Sequence, residues 1–207
     1  MDLLNFLESK KEERSDSVIQ QLLMDSWLET MSHVVTREDN VIWVSELVQC
    51  RQKAEFSKQL FFVHGIKPSL VLGSLVHKGL ELYLREELNA ETEVEFEKEV
   101  EEYRIRGKVD AIYKDSVIEI KYARGLKDNK PYEHHINQLR LYLWLTELEK
   151  GKLVYITPDK LVEFDFSNPM SDDEVLMLID SWKSPRYDWE CGYCDFNSIC
   201  PYRIERR

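Results

Sequence analysis

The chain has 207 residues, of which 43% are hydrophobic and 32% are charged, so it can form one domain with a sizeable buried core. No apolar run approaches the roughly 18 residues of a membrane span, and the N-terminus lacks the basic segment of a secretory signal, which favours a cytoplasmic protein. The net charge of −11 argues against binding of polyanions over the whole surface, although a single groove can remain basic.

The first part of the chain is predicted to be helical, because apolar residues recur at helical spacing within residues 1–33. We therefore interpret residues 1–40 as an N-terminal helical arm and residues 41–207 as the main domain. Near the start of that domain, Ser45 is predicted to cap a helix that runs through Cys50.

A longer helix is predicted from Ser69, where apolar residues form a continuous stripe. His77 lies one helical turn after Gly73, and the glycine lets a sheet or a ligand approach that histidine. A single histidine in a helix is more often structural than a ligand, so both interpretations stay open from this position alone. The alternation of residues 91–100 then predicts a long strand.

A β-hairpin is predicted over residues 104–123, where two apolar-rich runs flank a polar turn. Glu119 and Lys121 are two residues apart, so they point to the same side of their strand, and Asp110 can reach that side from the neighbouring strand. Two carboxylates and an amine together are typical of a divalent-metal phosphodiesterase. In such a site the carboxylates hold the cation and the lysine orients a water.

The alternative is that these three residues are only the solvated face of an amphipathic hairpin. Residues 117–120 argue against it, because this strand is apolar apart from Glu119 and a buried carboxylate needs a compensating cation. Basic residues also cluster in and after the hairpin, whereas acidic residues cluster before it. The basic residues are Arg104, Arg106, Lys108, Lys121, Arg124, Lys127 and Lys130.

A long helix is predicted over residues 132–150, with Gly151 at its C-terminal end. His134, Gln138 and Tyr142 recur every four residues and line one side of it. A solvated polar stripe is the simplest explanation. However, Tyr142 lies within an apolar segment, where full exposure is not expected.

The rest of the chain adds further elements of both kinds. Residues 152–157 and 161–166 predict a second hairpin, and Ser171 opens a capping box for a helix that runs through Trp182. Strands and helices that alternate in this way indicate a mixed α/β fold.

Four cysteines are candidates for one shared metal site. Cys191, Cys194 and Cys200 form a C-x2-C-x5-C segment near the C-terminus, and Cys50 lies far upstream. In a cytoplasmic protein this pattern favours zinc or an iron–sulfur cluster over disulfides. The second C-x2-C of most zinc ribbons is missing and aromatic residues surround the segment, so a cluster is preferred over zinc. Unrelated free thiols are the third possibility.

The motifs, taken in chain order, resemble the RecB-like branch of the PD-(D/E)XK nucleases. Over residues 41–203 the sequence is most similar to the CRISPR-associated iron–sulfur exonucleases, the Cas4 family. The matching motifs are His77, Asp110, Glu119-Ile120-Lys121, Gln138-x3-Tyr142 and the four cysteines.

This resemblance implies a restriction-endonuclease-like core of the mixed α/β (α+β) class, with helices flanking a mixed sheet. Residues 41–207 are then a RecB-like nuclease domain, and an iron–sulfur cluster staples a helical cap onto it. The implied activity is Mg²⁺- or Mn²⁺-dependent hydrolysis of DNA at single-stranded ends. The implied partners are DNA and the CRISPR integrase, in the preparation of spacer precursors for antiviral defence.

The resemblance also implies the roles of the site residues. The expected cation ligands are His77, Asp110, Glu119 and the carbonyl oxygen of Ile120. Lys121 is expected to position the attacking water, and Gln138 and Tyr142 to orient the DNA strand. A histidine ligand favours Mn²⁺ over Mg²⁺. The expected cluster is [4Fe–4S], bound as a structural staple by Cys50, Cys191, Cys194 and Cys200.

Two departures from the family pattern stand out. The family often has Cys-Pro-Arg at its first cysteine, whereas Cys50 is followed by Arg51 and Gln52. The arm at residues 1–40 is longer than the motifs require, and an oligomerisation or partner surface is one possible role. The alternatives in function are a catalytically silent subunit that binds DNA ends and a general repair nuclease outside CRISPR. The intact motif set argues against the silent subunit, and the repair nuclease stays open.

Overall fold

The computed structural model describes residues 16–35, 38, 40–60 and 67–205. Helix α1 (Val18–Val35) is the described part of the predicted N-terminal arm, and residues 1–15 of that arm lie outside the described residues. Leu28 of α1 is buried, and Glu29 forms a 2.8 Å ion pair with Lys78, an exposed residue of the main domain. In the described ranges, no helix is both long enough and apolar enough to cross a bilayer.

The described strands form one mixed sheet of six. They are β1 (Val41–Trp43), β2 (Glu91–Val100), β3 (Tyr103–Tyr113), β4 (Ser116–Tyr122), β5 (Lys150–Ile156) and β6 (Leu161–Phe166). Strand β3 pairs with β1, β2 and β4, and β5 joins β4 to β6. The β1/β3 and β4/β5 pairs are parallel, and the other three pairs are antiparallel. The predicted strand at residues 91–100 and both predicted hairpins are confirmed.

Helices flank this sheet, so the predicted mixed α/β class is confirmed. The helices after α1 are α2 (Val44–Leu47), α3 (Arg51–Gln59), α4 (Pro68–Leu88), α5 (Glu133–Thr146) and α6 (Asp172–Asp180), with short 3-10 helices at Lys127–Asn129 and Glu190–Tyr193. The larger apolar cluster packs α5 and α6 against the sheet, with Leu139 and Leu153 fully buried in it. A smaller cluster joins Leu84 of α4 to Ile118 and Ile120 of β4.

Helix α5 ends earlier than the sequence pattern predicts. It stops at Thr146, and Glu147 follows in the left-handed conformation, with φ of 58°. Gly151 does not cap the helix, because it lies in β5 and pairs with Val117 of β4. A Cβ atom at Gly151 would lie 2.9 Å from Leu139, so the glycine lets α5 pack closely on the strand.

Three further helix boundaries differ from the predictions. The prediction that Ser45 caps a helix is wrong: α2 begins at Val44, and the N–H of Trp43 donates to Glu46 Oε2 at 3.3 Å. Cys50 ends no helix but directly precedes α3. Pro68 starts α4 one residue before the predicted start, a position that suits proline. The capping box at Ser171 is confirmed, although α6 ends at Asp180, two residues before Trp182.

Candidate active site

The predicted acidic pair lies where strands β3 and β4 separate. Ala111 and Ile118 are the last paired residues of this ladder, so Asp110 and Glu119 are the first pair beyond it. Asp110 Oδ2 instead accepts a 2.7 Å hydrogen bond from the N–H of Ile120. A side chain thus replaces a backbone partner at the point of separation, which fixes the Asp110 carboxylate next to Glu119.

Lys121 completes the predicted trio. Its ammonium group forms a close ion pair with Glu119 Oε1, and both side chains are largely buried. Burial opposes the charge on Lys121, but the carboxylates of Glu119 and Asp110 outweigh this effect and raise the pKa of the lysine. The lysine is therefore held in its charged form beside both acids.

Glu119 is the most unusual of these groups. Its side chain is 1% exposed, and its Oε2 atom is buried with no hydrogen-bond partner. Burial, followed by the negative charge of Asp110, raises the pKa of Glu119 to about 7. A buried oxygen without a donor is costly, so this position suits a bound cation.

His77 of α4 approaches the same acids, as predicted. Its Nδ1 atom lies 3.7 Å from Asp110 Oδ2 and 4.0 Å from Glu81 Oε1. Burial disfavours the protonated form of His77, but its attraction to the neighbouring Asp110 carboxylate outweighs burial and raises the pKa of His77. Burial acts to raise the pKa of Asp110, but the neighbouring His77 and the charge of Lys121 outweigh burial and bring this pKa below its usual value.

Glu81 was not predicted from the sequence. It lies one helical turn after His77 and is 8% exposed. The ligand atoms of His77, Glu81 and Asp110 all lie within 4.8 Å of one another, a spacing that a single metal ion can bridge. Burial, and then the charges of Glu93 and Asp110, raise the pKa of Glu81 to about 7.

Gln138 and Tyr142 of α5 contact each other next to the acids. The amide of Gln138 donates to Tyr142 Oη at 3.1 Å, and both side chains are buried. Burial, and then the charges of Glu119 and Asp110, raise the pKa of Tyr142 well above its usual value, so the hydroxyl keeps its proton. Gly107 of β3 makes this approach possible, because a Cβ atom there would lie 2.7 Å from the Tyr142 ring.

His134, the third member of the predicted stripe, contacts aromatic side chains of the C-terminal segment. Its ring packs on Trp189 at 4.9 Å and on Tyr187 at 5.9 Å, between centroids. Burial, and then the charge of Lys121, lower the pKa of His134 to about 4. His134 is thus a neutral residue that joins α5 to the C-terminal segment.

An open groove leads to the acids. Its lining includes His77, Glu81, Glu93, Lys108 and Lys121. The basic side chains in and around this groove differ in their acidic partners.

Acidic partners neutralise several of the predicted basic residues. Arg104 and Arg106 each form ion pairs with both Glu97 and Glu38, and Lys108 is paired with Glu93. The three remaining residues beyond β4 are exposed on the loop that leads to α5. They are Arg124, Lys127 and Lys130.

The four cysteines surround one cavity. Cys50, Cys191, Cys194 and Cys200 all line it, no disulfide joins them, and its walls expose almost only apolar surface. Burial raises the pKa of Cys50 and of Cys194. The N–H of Ile204 also donates to Cys191 Sγ at 3.5 Å. The prediction that the distant Cys50 folds onto the C-terminal segment is therefore met.

Glu190 connects the two parts of this cavity. It is buried, and its Oε1 atom accepts a 2.7 Å hydrogen bond from the N–H of Cys50. Its Oε2 atom accepts hydrogen bonds of 2.8 Å from the N–H groups of Arg186 and Tyr187. One buried carboxylate thus ties the N-terminal cysteine to the C-terminal segment by three backbone donors.

Comparison with known proteins decides the family. Residues 85–201 match the model of the PD-(D/E)XK nuclease superfamily. A CRISPR-associated exonuclease Cas4 from Saccharolobus solfataricus is 40% identical over 199 residues, which cover 88% of this chain and 97% of the relative. The chain belongs to the Cas4 family of PD-(D/E)XK nucleases.

Two solved structures share the fold of this Cas4-family chain. The crystal structure of SSO0001 is 38% identical in sequence and superposes with a TM-score of 0.84, covering 91% of this chain and 98% of that one. An alkaline exonuclease from Laribacter hongkongensis shares the fold at 15% identity, with a TM-score of 0.52 over 73% of this chain and 87% of its own. The predicted PD-(D/E)XK core is confirmed.

Some residues of this Cas4-family site escaped prediction. Glu81 has a signal, since an acid four residues after a helical histidine shares its side of the helix. Gly107 has a weaker one, as a glycine within a strand often marks close approach of another element. Glu190 has none, because its burial depends on contacts with Cys50, 140 residues away in sequence.

Proposed function

We propose that this protein is a divalent-metal-dependent DNA exonuclease that acts on single-stranded ends. The observation that carries the proposal is the convergence of Asp110, Glu119, Lys121 and His77 where β3 and β4 separate, with a buried Glu119 oxygen that lacks a donor. A cation would satisfy that oxygen. The donor set of imidazole and carboxylates suits Mn²⁺ or Mg²⁺, with a preference for Mn²⁺.

The chain's residues have distinct roles in this proposal. His77, Asp110, Glu119 and the Ile120 carbonyl hold the cation, which when bound polarises the scissile phosphate and acidifies a water. The Lys121 ammonium, fixed by Glu119, orients the attacking water and stabilises negative charge that develops on the phosphate.

Gln138 and Tyr142 act on the DNA strand rather than on the cation. Their mutual hydrogen bond fixes the Tyr142 hydroxyl, which keeps its proton and can donate to a phosphate oxygen. The exposed basic residues between β4 and α5 supply further phosphate contacts. Because these basic residues lie close together, DNA can bind there although the net charge of the chain is negative.

The proposal includes a [4Fe–4S] cluster in the cysteine cavity. Four thiols facing one apolar cavity fit such a cluster, because apolar surroundings exclude solvent from it. No disulfide joins the four cysteines, so all four sulfur atoms are available as ligands.

The biological setting remains the one expected from the sequence. Its Cas4 relative is named as a CRISPR-associated exonuclease. We place this protein in the cytoplasm, preparing spacer precursors for the CRISPR integrase, and DNA ends are its substrate. The arm at residues 1–40 is the segment we assign to contacts with a partner or a second copy.

The test is digestion of end-labelled single-stranded and double-stranded DNA with Mn²⁺, Mg²⁺ or EDTA, comparing the parent with Asp110→Asn. The parent should shorten single strands from their ends only when a divalent metal is present, and Asp110→Asn should not. Binding of DNA without cleavage in any metal would instead support the scaffold subunit. Circular dichroism of both proteins should confirm that Asp110→Asn is folded.

A further inference from the structure

The buried carboxylate of Glu81 has no role in the ligand set proposed above. It lies one turn after His77 on α4, with 8% of the residue exposed. Its ion pair with His77 is long, 4.0 Å. Burying a carboxylate costs free energy unless a cation or hydrogen bonds compensate it, so this position calls for an additional positive partner.

The distances fit a shared cation. Two atoms that bind the same Mg²⁺ or Mn²⁺ lie at most about 4.2 Å apart, because each bond is about 2.1 Å long. His77 Nδ1 lies 3.7 Å from Asp110 Oδ2 and 4.0 Å from Glu81 Oε1, both within this limit. The third separation, between Glu81 and Asp110, is under 4.8 Å and needs only a small side-chain adjustment.

The supports of these three groups are rigid. His77 and Glu81 are four residues apart on the 21-residue helix α4, and Asp110 is fixed by the N–H of Ile120. Glu119 lies opposite Asp110, where β3 and β4 separate. Its buried Oε2 atom has no hydrogen-bond donor, which is an independent indication that a cation binds here. An unpaired, buried carboxylate oxygen therefore lies next to the trio.

We propose that Glu81 is a further ligand of the divalent cation, acting with His77 and Asp110. This inference rests on the proposed nuclease function and extends its ligand set to a third carboxylate. One imidazole and two carboxylates from α4 and β3 leave the remaining positions of the cation open for water and a phosphate oxygen. Glu119 and Lys121 then complete the site from strand β4.

Two variants of matched charge separate a ligand from a merely acidic neighbour. Glu81→Gln keeps the shape of the side chain and removes its charge. Glu93→Gln removes the same charge from the same groove, but the side chain of Glu93 is 48% exposed and paired with Lys108. Both variants are made in the full chain.

Mn²⁺ binding is measured by calorimetry and by electron paramagnetic resonance, without DNA. Glu81→Gln should bind Mn²⁺ about 10- to 100-fold more weakly than the parent. Glu93→Gln should weaken binding less than about fivefold, as expected for an exposed charge. Equal losses in the two variants would overturn the proposal, since the effect would then be only the groove's total charge.

Thermal melting separates a ligand from a structural acid. In EDTA, Glu81→Gln should melt at the same or a higher temperature than the parent, because an uncharged amide replaces a buried carboxylate. Saturating Mn²⁺ should raise the melting temperature of the parent more than that of Glu81→Gln, since ligand binding stabilises the folded state. A lower melting temperature in EDTA with an unchanged response to Mn²⁺ would contradict a ligand role.

Asp110→Asn distinguishes failure of this inference from failure of the proposed function. If the parent binds no Mn²⁺, both are overturned. If Asp110→Asn loses Mn²⁺ binding while Glu81→Gln retains the parent's affinity, the nuclease proposal stands and the role of Glu81 is overturned.

Discussion

The acidic groove and the cysteine cavity both gather candidate metal ligands, but the fold builds them differently. The groove takes its ligands from long elements: helix α4 has 21 residues and strand β3 has 11. The cavity takes three of its four thiols from residues 190–200, where the regular structure is a four-residue 3-10 helix. The two sites therefore differ in what holds their ligands in place. Helices and strands position the acids, whereas side-chain contacts position the thiols.

The contacts around the cavity show how the irregular segment is held. Trp182 Nε1 donates to the carbonyl of Gln49 at 2.8 Å, and the N–H of Gln52 donates to Ser184 Oγ at 2.7 Å. With the three donors to Glu190, these bonds link residues far apart in sequence. A cluster bound there would stabilise a segment that has little secondary structure, whereas a cation in the groove would add chemistry to elements that the sheet and α4 already hold in place.

The largest expected effect is on the chemistry of the groove, from Lys121→Met. Loss of the ammonium removes charge stabilisation next to the phosphate, so cleavage should slow about 100- to 1,000-fold. The measurement is the single-turnover rate on end-labelled single-stranded DNA with Mn²⁺. Lys152→Met is the control, since Lys152 lies on neighbouring β5 and pairs with Asp165 at 2.7 Å. A folded Lys121→Met protein that cuts at the parent's rate would remove Lys121 from the site.

The next effect is on the stability of the cavity, from Cys191→Ser. Loss of one cluster ligand should lower the melting temperature by about 5–10 °C, equivalent to a few kcal/mol for a chain of this size. Iron and acid-labile sulfide should fall in parallel, while the cleavage rate per folded molecule falls far less than in Lys121→Met. Exposed Ser198→Ala is the control. Unchanged iron content and melting temperature in Cys191→Ser would contradict the cluster. One tightly bound zinc in the parent would instead identify the cavity as a zinc site.

A smaller effect concerns pH, at His134 and His135 of α5. Burial, and then the charge of Lys121, lower the pKa of His134 to about 4 and of His135 to about 2, against about 6.5 in the unfolded chain. Below pH 6.5 the unfolded chain binds protons that the folded chain does not. The free energy of unfolding should therefore fall as pH drops from 6.5 towards 4.

Replacing one histidine tests this sign. His135→Gln should reduce the slope of the unfolding free energy between pH 5 and 6 by up to about 1.4 kcal/mol per pH unit. Urea unfolding at several pH values in EDTA measures it. Tyr155→Phe is the control, because it removes the 2.7 Å hydrogen bond of His135 Nδ1 but keeps the titrating ring. An equal change of slope in both variants would assign the effect to the hydrogen bond.

The parts of the fold and of the candidate site that could be predicted from the sequence lie on regular strands and helices. Alternation of apolar residues gave the bounds of β2, and the motif spacing placed Asp110, Glu119 and Lys121 together. The burial of Glu81 could not be predicted from the sequence, because an acid four residues after a histidine is also typical of a solvated helix face. Only the packing of α4 against the sheet buries it.

Close packing and cross-strand pairing account for the other failures. Gly151 resembles a helix cap in sequence, yet it is a strand residue on which Leu139 packs, a contact that depends on the β4/β5 register. Arg106 counts as a basic residue near the hairpin. In the sheet it lies opposite Glu97, so its charge is already compensated.

The smallest expected effect follows from this compensation. Arg106→Ala should change the affinity for single-stranded DNA little and the stability by less than about 1 kcal/mol, because its partners Glu97 and Glu38 are surface residues. Arg124→Ala, on the exposed loop after β4, should weaken binding and reduce the dependence of log K on log salt by about one. Fluorescence anisotropy in Ca²⁺ at several salt concentrations measures both. A larger loss of affinity in Arg106→Ala than in Arg124→Ala would contradict this expectation. It would mean that DNA runs along β3 and displaces Glu97 from the Arg106 guanidinium.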